Sequence, residues 1–562
     1  MRREVSVVNK KVCSFPILFA LLALLIGTCA VVFPASAQAA PTPTGSITVS
    51  GTVARSYDAY QIFSANVVDG DSDAKIATDL AWASDAVRDA VLPVLHSAGM
   101  PNSQTTAQEA AEWLNADSHL TSALSAQLAR SLQSSDAVSV ALNAGTTAEL
   151  SCGYWLIVAD DVTISQDEAG TAPIMALVGG SAVTVKPKAA TPKVAKHVLE
   201  DSTAAWQKAA DATVADDLYW RLSATVPAGL TAYDTYTVRF VDTMSAGLDP
   251  SKVAASMRVY AAPGAEGGFD AVQAGKDGRA GTEPAKGWTD ITAQCATKVA
   301  ADGTFTVRTG DLIAALGGAD AFTAGARVVA VYNAPLSSTC NHGIAKGNPN
   351  EVYLRYPRSP FADQSGDAGF TRTPSDDACA YTWDLALTKR GSDGDKPLAG
   401  AVLSIADDRG RTLAADGMWD AEGKATVTTG EDGRVTVSGV DSGKLEVREL
   451  KAPKGYAAFE GTRSVTVKAE GLDVDQVAAA KPKLTITAES PLRADSADGS
   501  TGSLEASLIN TPTGTPPSIT TGGFMPSTGD MAMYAAAAAA VAGAALIVVA
   551  LLVKRGGGSH KE

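Results

Sequence analysis

Histidine and cysteine, the residues from which most catalytic and metal sites are built, are scarce in this chain. It has five histidines, scattered at His96, His119, His197, His342 and His560, and six cysteines among 562 residues. None has metal-ligand spacing, and the sequence lacks a nucleophile elbow, a phosphate loop and an HExxH arrangement, so it offers no metal or cofactor site and does not read as an enzyme. Positive charge is also in short supply. Lys and Arg total 46 against 61 Asp and Glu, a formal charge of −15, which argues against a phosphate-binding surface and against nucleic acid as a partner. Aromatic residues are only 6%, yet hydrophobic residues reach 46%, enough to form cores and to exclude a disordered chain. At roughly 100–200 residues per domain, the length predicts about three folded units.

Long apolar runs are confined to the two ends. Arg2, Arg3, Lys10 and Lys11 precede the run Ile17 to Ile26, which gives way to Ala35-Ser36-Ala37-Gln38-Ala39-Ala40. That order predicts a secretory signal peptide, residues 1–40, removed from the mature protein. At the other end Met531 to Val553 is a run of 23 uncharged residues, long enough at about 1.5 Å per residue to cross a hydrocarbon layer of about 30 Å. Lys554-Arg555 follows it, which predicts a membrane helix over 531–553, a cytoplasmic tail at 554–562, and everything upstream outside. Just before the span stands Met525-Pro526-Ser527-Thr528-Gly529, after a Pro/Thr/Gly-rich linker at 513–524. Pentapeptide, span and basic tail together resemble the LPXTG cell-wall sorting signal of Gram-positive surface proteins, with Met525 where leucine is usual. The resemblance implies that a sortase cleaves between Thr528 and Gly529 and joins the Thr528 carbonyl to an amine.

Between the ends, composition shifts divide the mature chain into blocks at 41–187, 188–375 and 380–512. Val185-Lys186-Pro187-Lys188-Ala189-Ala190-Thr191-Pro192 reads as an extended linker, and the polar stretch Phe361 to Asp377 reads as a second separator. The first block mixes types. Ser46 to Val53 and Tyr154 to Val158 read as strands, Thr106 to Glu109 has capping-box spacing, and Leu120, Leu124, Leu128 and Leu132 recur one helical turn apart. Asp69-Gly70-Asp71-Ser72-Asp73 opens like a calcium loop, but Ala74 stands in place of its turn glycine and Leu80 in place of its bidentate acid, so a solvated loop is the better reading. Cys13 and Cys29 leave with the leader. Cys152, Cys295, Cys340 and Cys379 remain outside the membrane, where thiols oxidise; Cys340 with Cys379 is the preferred pair, although spacing alone leaves the pairing open.

The third block carries the sharpest chemistry. Strand alternation puts Trp383, Leu385, Leu387 and Lys389 on one face, Leu504, Ala506, Leu508 and Asn510 on another, and Glu449 in phase with Leu445 and Val447. An amine, a carboxamide and an acid therefore face a core, where an isolated ion costs several kcal/mol. Burial favours the neutral amine, so Lys389 is a candidate nucleophile toward the Asn510 carboxamide, with Glu449 polarising that group and shuttling protons as ammonia leaves. The product is an isopeptide bond made without a cofactor.

Lys389, Lys396-Pro397-Leu398-Ala399-Gly400-Ala401, Glu449-Leu450-Lys451-Ala452-Pro453-Lys454-Gly455-Tyr456 and Asn510 resemble the collagen-adhesin B-type β-sandwich of sortase-dependent pilins, whose ExxAPxGY box is matched at every fixed position. The middle block is similar to the isopeptide-forming fimbrial domain through Thr191 to Val198, Phe240 to Leu248 and Asn350 to Tyr356. That resemblance puts Lys196 and Asp242 in the roles of amine and acid. Its usual Tyr-Ser-Asn ending is here Tyr356-Pro357-Arg358, which leaves Asn350, also in phase, as the fallback acceptor; otherwise Lys196 and Asp242 form a plain ion pair shared with Arg358. Val183 to Lys188 is similar to the pilin motif of shaft subunits, which implies that Lys188 receives the sorted carbonyl of the next subunit.

These resemblances imply a mainly β chain of tandem immunoglobulin-like sandwiches behind an α+β N-terminal domain. They imply a structural subunit, most consistent with the shaft, of a sortase-assembled pilus fixed to the cell wall. Its partners would be sortase, other pilin subunits, peptidoglycan and an unidentified host receptor. The alternative is a monomeric wall-anchored adhesin or minor pilus subunit.

Overall fold

A computed structural model of the chain describes residues 43–514 apart from 52–54, 72–73, 117–118, 165, 188–190 and 276. The signal peptide, Lys188, the pentapeptide Met525 to Gly529, the apolar span and the tail lie outside the described residues.

The N-terminal part combines two sheets and three helices. Thr44–Val49 pairs antiparallel with Thr147–Ser151 and parallel with Val183–Val185, and a second sheet is centred on Ser56–Asp69 and Gly153–Ala159. Gly153–Ala159 is apolar throughout because both its faces are covered. Trp155 and Ile157 join one core with Ile47 and Val49, while Leu156 and Val158 pack against the helices. The helices Asp85–Ser97, Ala107–Asn115 and Ser122–Gln133 start where Ser84, Thr106 and Thr121 accept from backbone amides, Thr106 and Glu109 forming a full capping box. Leu124, Leu128 and Leu132, one turn apart, are buried as their spacing predicts. Asp69 accepts from the Ser181 amide and pairs with Lys75.

The middle part is two facing sheets. One holds Lys193–Glu200, Tyr219–Val226, Ala326–Asn333 and Arg258–Pro263; the other holds Asp376–Tyr381, Asn348–Pro357, Arg239–Met244 and Thr304–Arg308. Trp220, Leu222 and Ala224 from the first meet Phe240, Val352 and Leu354 from the second in one core. The C-terminal part repeats the plan. A four-stranded sheet in the order Arg434–Val440, Trp383–Gly391, Ser503–Asn510 and Leu492–Asp498 faces a larger sheet built on Val402–Ala406, Gly443–Lys451 and Thr462–Glu470. Trp383, Leu385 and Leu387 pack there with Val447, Leu504, Ala506 and Leu508. The first and last strands run parallel side by side, with Gly391 opposite Asn510.

The stretch 361–377, which composition marks as a separator, is instead part of the middle sandwich. Phe370–Arg372 pairs with the end of Asn348–Pro357, Phe370 is buried, and Asp376 begins the strand Asp376–Tyr381. That strand belongs to two cores at once: Ala378 and Ala380 point into the middle one, Cys379 and Tyr381 into the C-terminal one. Polar anchors stiffen the same junction. Asp211 accepts from Trp383 Nε1 at 2.7 Å and from the Ser442 amide at 3.0 Å, and Arg411 grips Asp216 with both terminal guanidinium nitrogens. His342 Nδ1 lies 2.8 Å from Asp384 Oδ1, and that carboxylate, with Cys340 nearby, holds the imidazole pKa up at about 10.

No cysteine pair is joined among the described residues. Cys152, Cys295, Cys340 and Cys379 all carry free thiols. Cys379 sits within a strand, its Sγ facing Gly347 and Tyr381 and directed at the Ala380 carbonyl, while Cys340 lies in a turn packed against Gly247.

Candidate functional site

The three inward-facing polar residues of the C-terminal sandwich meet. Lys389, near the end of Trp383–Gly391, and Asn510, the last residue of Ser503–Asn510, are carried side by side by the parallel pairing, and Glu449 reaches them from Gly443–Lys451 in the facing sheet. All three are buried, with exposures of 0%, 2% and 7% for Lys389, Asn510 and Glu449. Lys389 Nζ donates to Asn510 Oδ1 and lies 3.0 Å from Glu449 Oε1. Asn510 Nδ2 donates to both Glu449 oxygens, at 2.9 and 3.0 Å, and Glu449 Oε2 also accepts from the Phe459 amide. The Phe459 ring lies 5.8 Å from the amine and helps keep the site dry. Burial pulls the Lys389 pKa down to about 8, Glu449 opposing it, so a neutral amine is accessible near neutral pH. This arrangement places a nucleophile against a carboxamide whose leaving nitrogen already touches an acid.

A second buried cluster lies between the two sheets of the middle sandwich. Lys196, Asp242 and Asn350 are each fully buried. Lys196 Nζ pairs with Asp242 Oδ2 and donates to the Tyr332 hydroxyl at 2.9 Å; Asn350 Nδ2 donates to the same hydroxyl at 2.9 Å, and that hydroxyl lies 3.1 Å from Asp242 Oδ2. Burial lowers the Lys196 pKa and raises those of Asp242 and Tyr332, all toward the neutral forms. Asp242 Oδ1 and Asn350 Oδ1 are buried without a hydrogen-bond partner, so two acceptors of the site lack donors. The main chain of Lys196 is clamped: its N–H donates to Asp376 at 2.6 Å, and its carbonyl accepts from Lys208 Nζ at 2.9 Å. Arg358 takes no part in this pair. Its guanidinium donates to the Asp161 carbonyl in the N-terminal part, beside Tyr356, whose hydroxyl donates to the Glu168 carbonyl.

Tyr332, Lys208 and Asp376 are absent from the residues singled out by sequence. Alternation of Val328, Ala330 and Tyr332 marks Tyr332 only as a core aromatic, and nothing local shows that three partners converge on its hydroxyl.

Comparison with known proteins places part of the chain. Residues 384–481 match the family model described as SpaA, a prealbumin-like fold domain. The Trypsin-resistant surface T6 protein of Streptococcus pyogenes serotype M6 is 30% identical over 129 residues, 22% of this chain and 22% of that protein, so the chain spans about a fifth of the length of the curated relative it matches. Among solved structures, the T6 backbone pilin of the same organism aligns with 84% of this chain and 100% of its own, at 16% identity and a TM-score of 0.45. The major pilin SpaD of Corynebacterium diphtheriae aligns with 84% of this chain and 98% of its own, at 14% identity and a TM-score of 0.40. The matched segment, which carries Lys389 and Glu449, is similar to the SpaA prealbumin-like fold domain.

Proposed function

We propose that this chain is the shaft subunit of a sortase-assembled, wall-anchored pilus, made tension-resistant by Lys389–Asn510 and Lys196–Asn350 isopeptide bonds. The observation that carries this reading is the meeting of Lys389, Glu449 and Asn510 in a dry site between the first and last strands of a sandwich. A covalent bond there lets a pulling force pass from one terminal strand to the other without unzipping the sheet. The match of residues 384–481 to the SpaA prealbumin-like fold domain and the partial identity to a trypsin-resistant surface protein support the same role. Sorting at Thr528 and acceptance by Lys188 would then join subunits covalently end to end.

Co-expression with a cognate sortase tests the assembly. A heat- and SDS-resistant ladder is expected from the unmodified chain and only monomer from Lys188→Ala; a single band from both would leave a wall-anchored adhesin or minor subunit. Intact mass tests the internal chemistry, since each isopeptide bond removes one ammonia.

A further inference from the structure

The two clusters differ in one respect that bears on how protons move. At the C-terminal site the leaving nitrogen, Asn510 Nδ2, touches the acid directly. At the middle site Asn350 Nδ2 has the Tyr332 hydroxyl as its partner, and that hydroxyl also receives Lys196 Nζ. The oxygen of Tyr332 therefore lies 2.9 Å from both the attacking and the departing nitrogen. We propose that Tyr332 is a catalytic residue of the middle site, relaying a proton from the Lys196 amine to the leaving amide nitrogen of Asn350. This rests on the reading that Lys196 and Asn350 become joined.

The step balances without an outside reagent. The Lys196 ammonium first gives a proton to the Asp242 carboxylate, leaving a neutral amine and a neutral acid. The Nζ lone pair then forms a bond to Asn350 Cγ, and the carbonyl π pair moves onto Oδ1. The Tyr332 hydroxyl donates to Asp242 Oδ2 at 3.1 Å in the resting site and is released when that oxygen is protonated; it then accepts the surplus proton from Nζ while passing its own to Nδ2. The Cγ–Nδ2 bond breaks, ammonia leaves, and the carbonyl re-forms. One amide bond is broken and one made, and Tyr332 ends as it began.

Burial makes a relay necessary. Lys196, Asp242 and Asn350 are sealed from solvent, so no bulk water is available to shuttle protons. The ring is fixed independently of its hydroxyl, edge-on to Phe305 at 4.8 Å between centroids, so its loss of oxygen need not disturb packing.

The test follows the full chain by intact mass and peptide mapping at intervals after cell-free synthesis. Tyr332→Phe should slow the middle bond by on the order of 100-fold while the Lys389–Asn510 bond forms at its usual rate, an internal control. A folded Tyr332→Phe chain that forms both bonds at the unmodified rate overturns the relay and leaves the crosslink standing. An unmodified chain in which peptides bearing positions 196 and 350 are never joined overturns both. Should the phenylalanine variant fail to fold, 3-fluorotyrosine placed at position 332 keeps ring and hydroxyl but makes the hydroxyl more acidic. The relay then requires a rate change of about twofold or more, and an unchanged rate refutes it.

Discussion

Glu449→Gln keeps the shape of the side chain while removing the acid that touches both Lys389 and Asn510. With no group to take the proton, the bond should not form, and the variant should keep the ammonia the bond would expel, its mass matching its own unbonded sequence rather than that sequence less about 17 Da. The bond it loses would close a loop spanning 121 sequence positions. On the chain-entropy model such a closure is worth about 5 kcal/mol. The buried amine left without its counter-charge adds roughly 3 kcal/mol more. The first contribution alone, at roughly 3–4 °C per kcal/mol for a domain of this size, lowers the melting temperature of the C-terminal sandwich by about 15–20 °C. Calorimetry reads the melting, and mass spectrometry of the same sample reads the bond. A variant whose mass is lower than its own sequence by one ammonia would refute the reasoning, as would one that keeps the ammonia yet melts within about 5 °C of the unmodified chain.

The junction between the sandwiches should respond to alkali. Asp384 raises the pKa of His342 above that of a free imidazole, so the stabilisation is complete below about pH 6.5, declines as pH rises, and is gone above about pH 10. The melting difference between unmodified chain and His342→Gln should therefore shrink steadily across that window; a difference that grows with pH contradicts the assignment. Gly153 has φ +141° opposite Ser64, and a Cβ there would lie 2.1 Å from the Phe63 carbonyl. Gly153→Ala should destabilise the N-terminal part by roughly 2–4 kcal/mol, read as a lower urea midpoint with the C-terminal transition unmoved.

Much of the candidate site was legible because strand periodicity is local. Trp383, Leu385 and Leu387 alternate inward, so Lys389 had to follow them, and the same counting located Asn510 and Glu449. Asn350 could be placed in phase, but its choice over an acceptor near Arg358 depends on which neighbours each meets. Arg358 is drawn to a carbonyl of the N-terminal part, a contact between segments far apart in sequence. Composition misread 361–377 for a related reason. Its polar residues have specific partners: Asp376 binds the Lys196 amide and Lys208, Asp367 pairs with Arg239 and Arg355, and Gln364 accepts from Thr237. Tyr332 was invisible as anything but core because the value of a hydroxyl is set by what converges on it.

The parallel side-by-side placement of the first and last C-terminal strands fixes how far the molecule can stretch. With Lys389 bonded to Asn510, the shortest covalent route through that sandwich runs from Trp383 along a single strand to Lys389 and out through Asn510. The chain from Arg390 to Ile509 hangs off this route as a closed ring, so even its complete melting would add almost nothing to the end-to-end contour. A fibre of such units should give a force-extension trace without the sawtooth of successive domain ruptures, lengthening only as far as its linkers straighten.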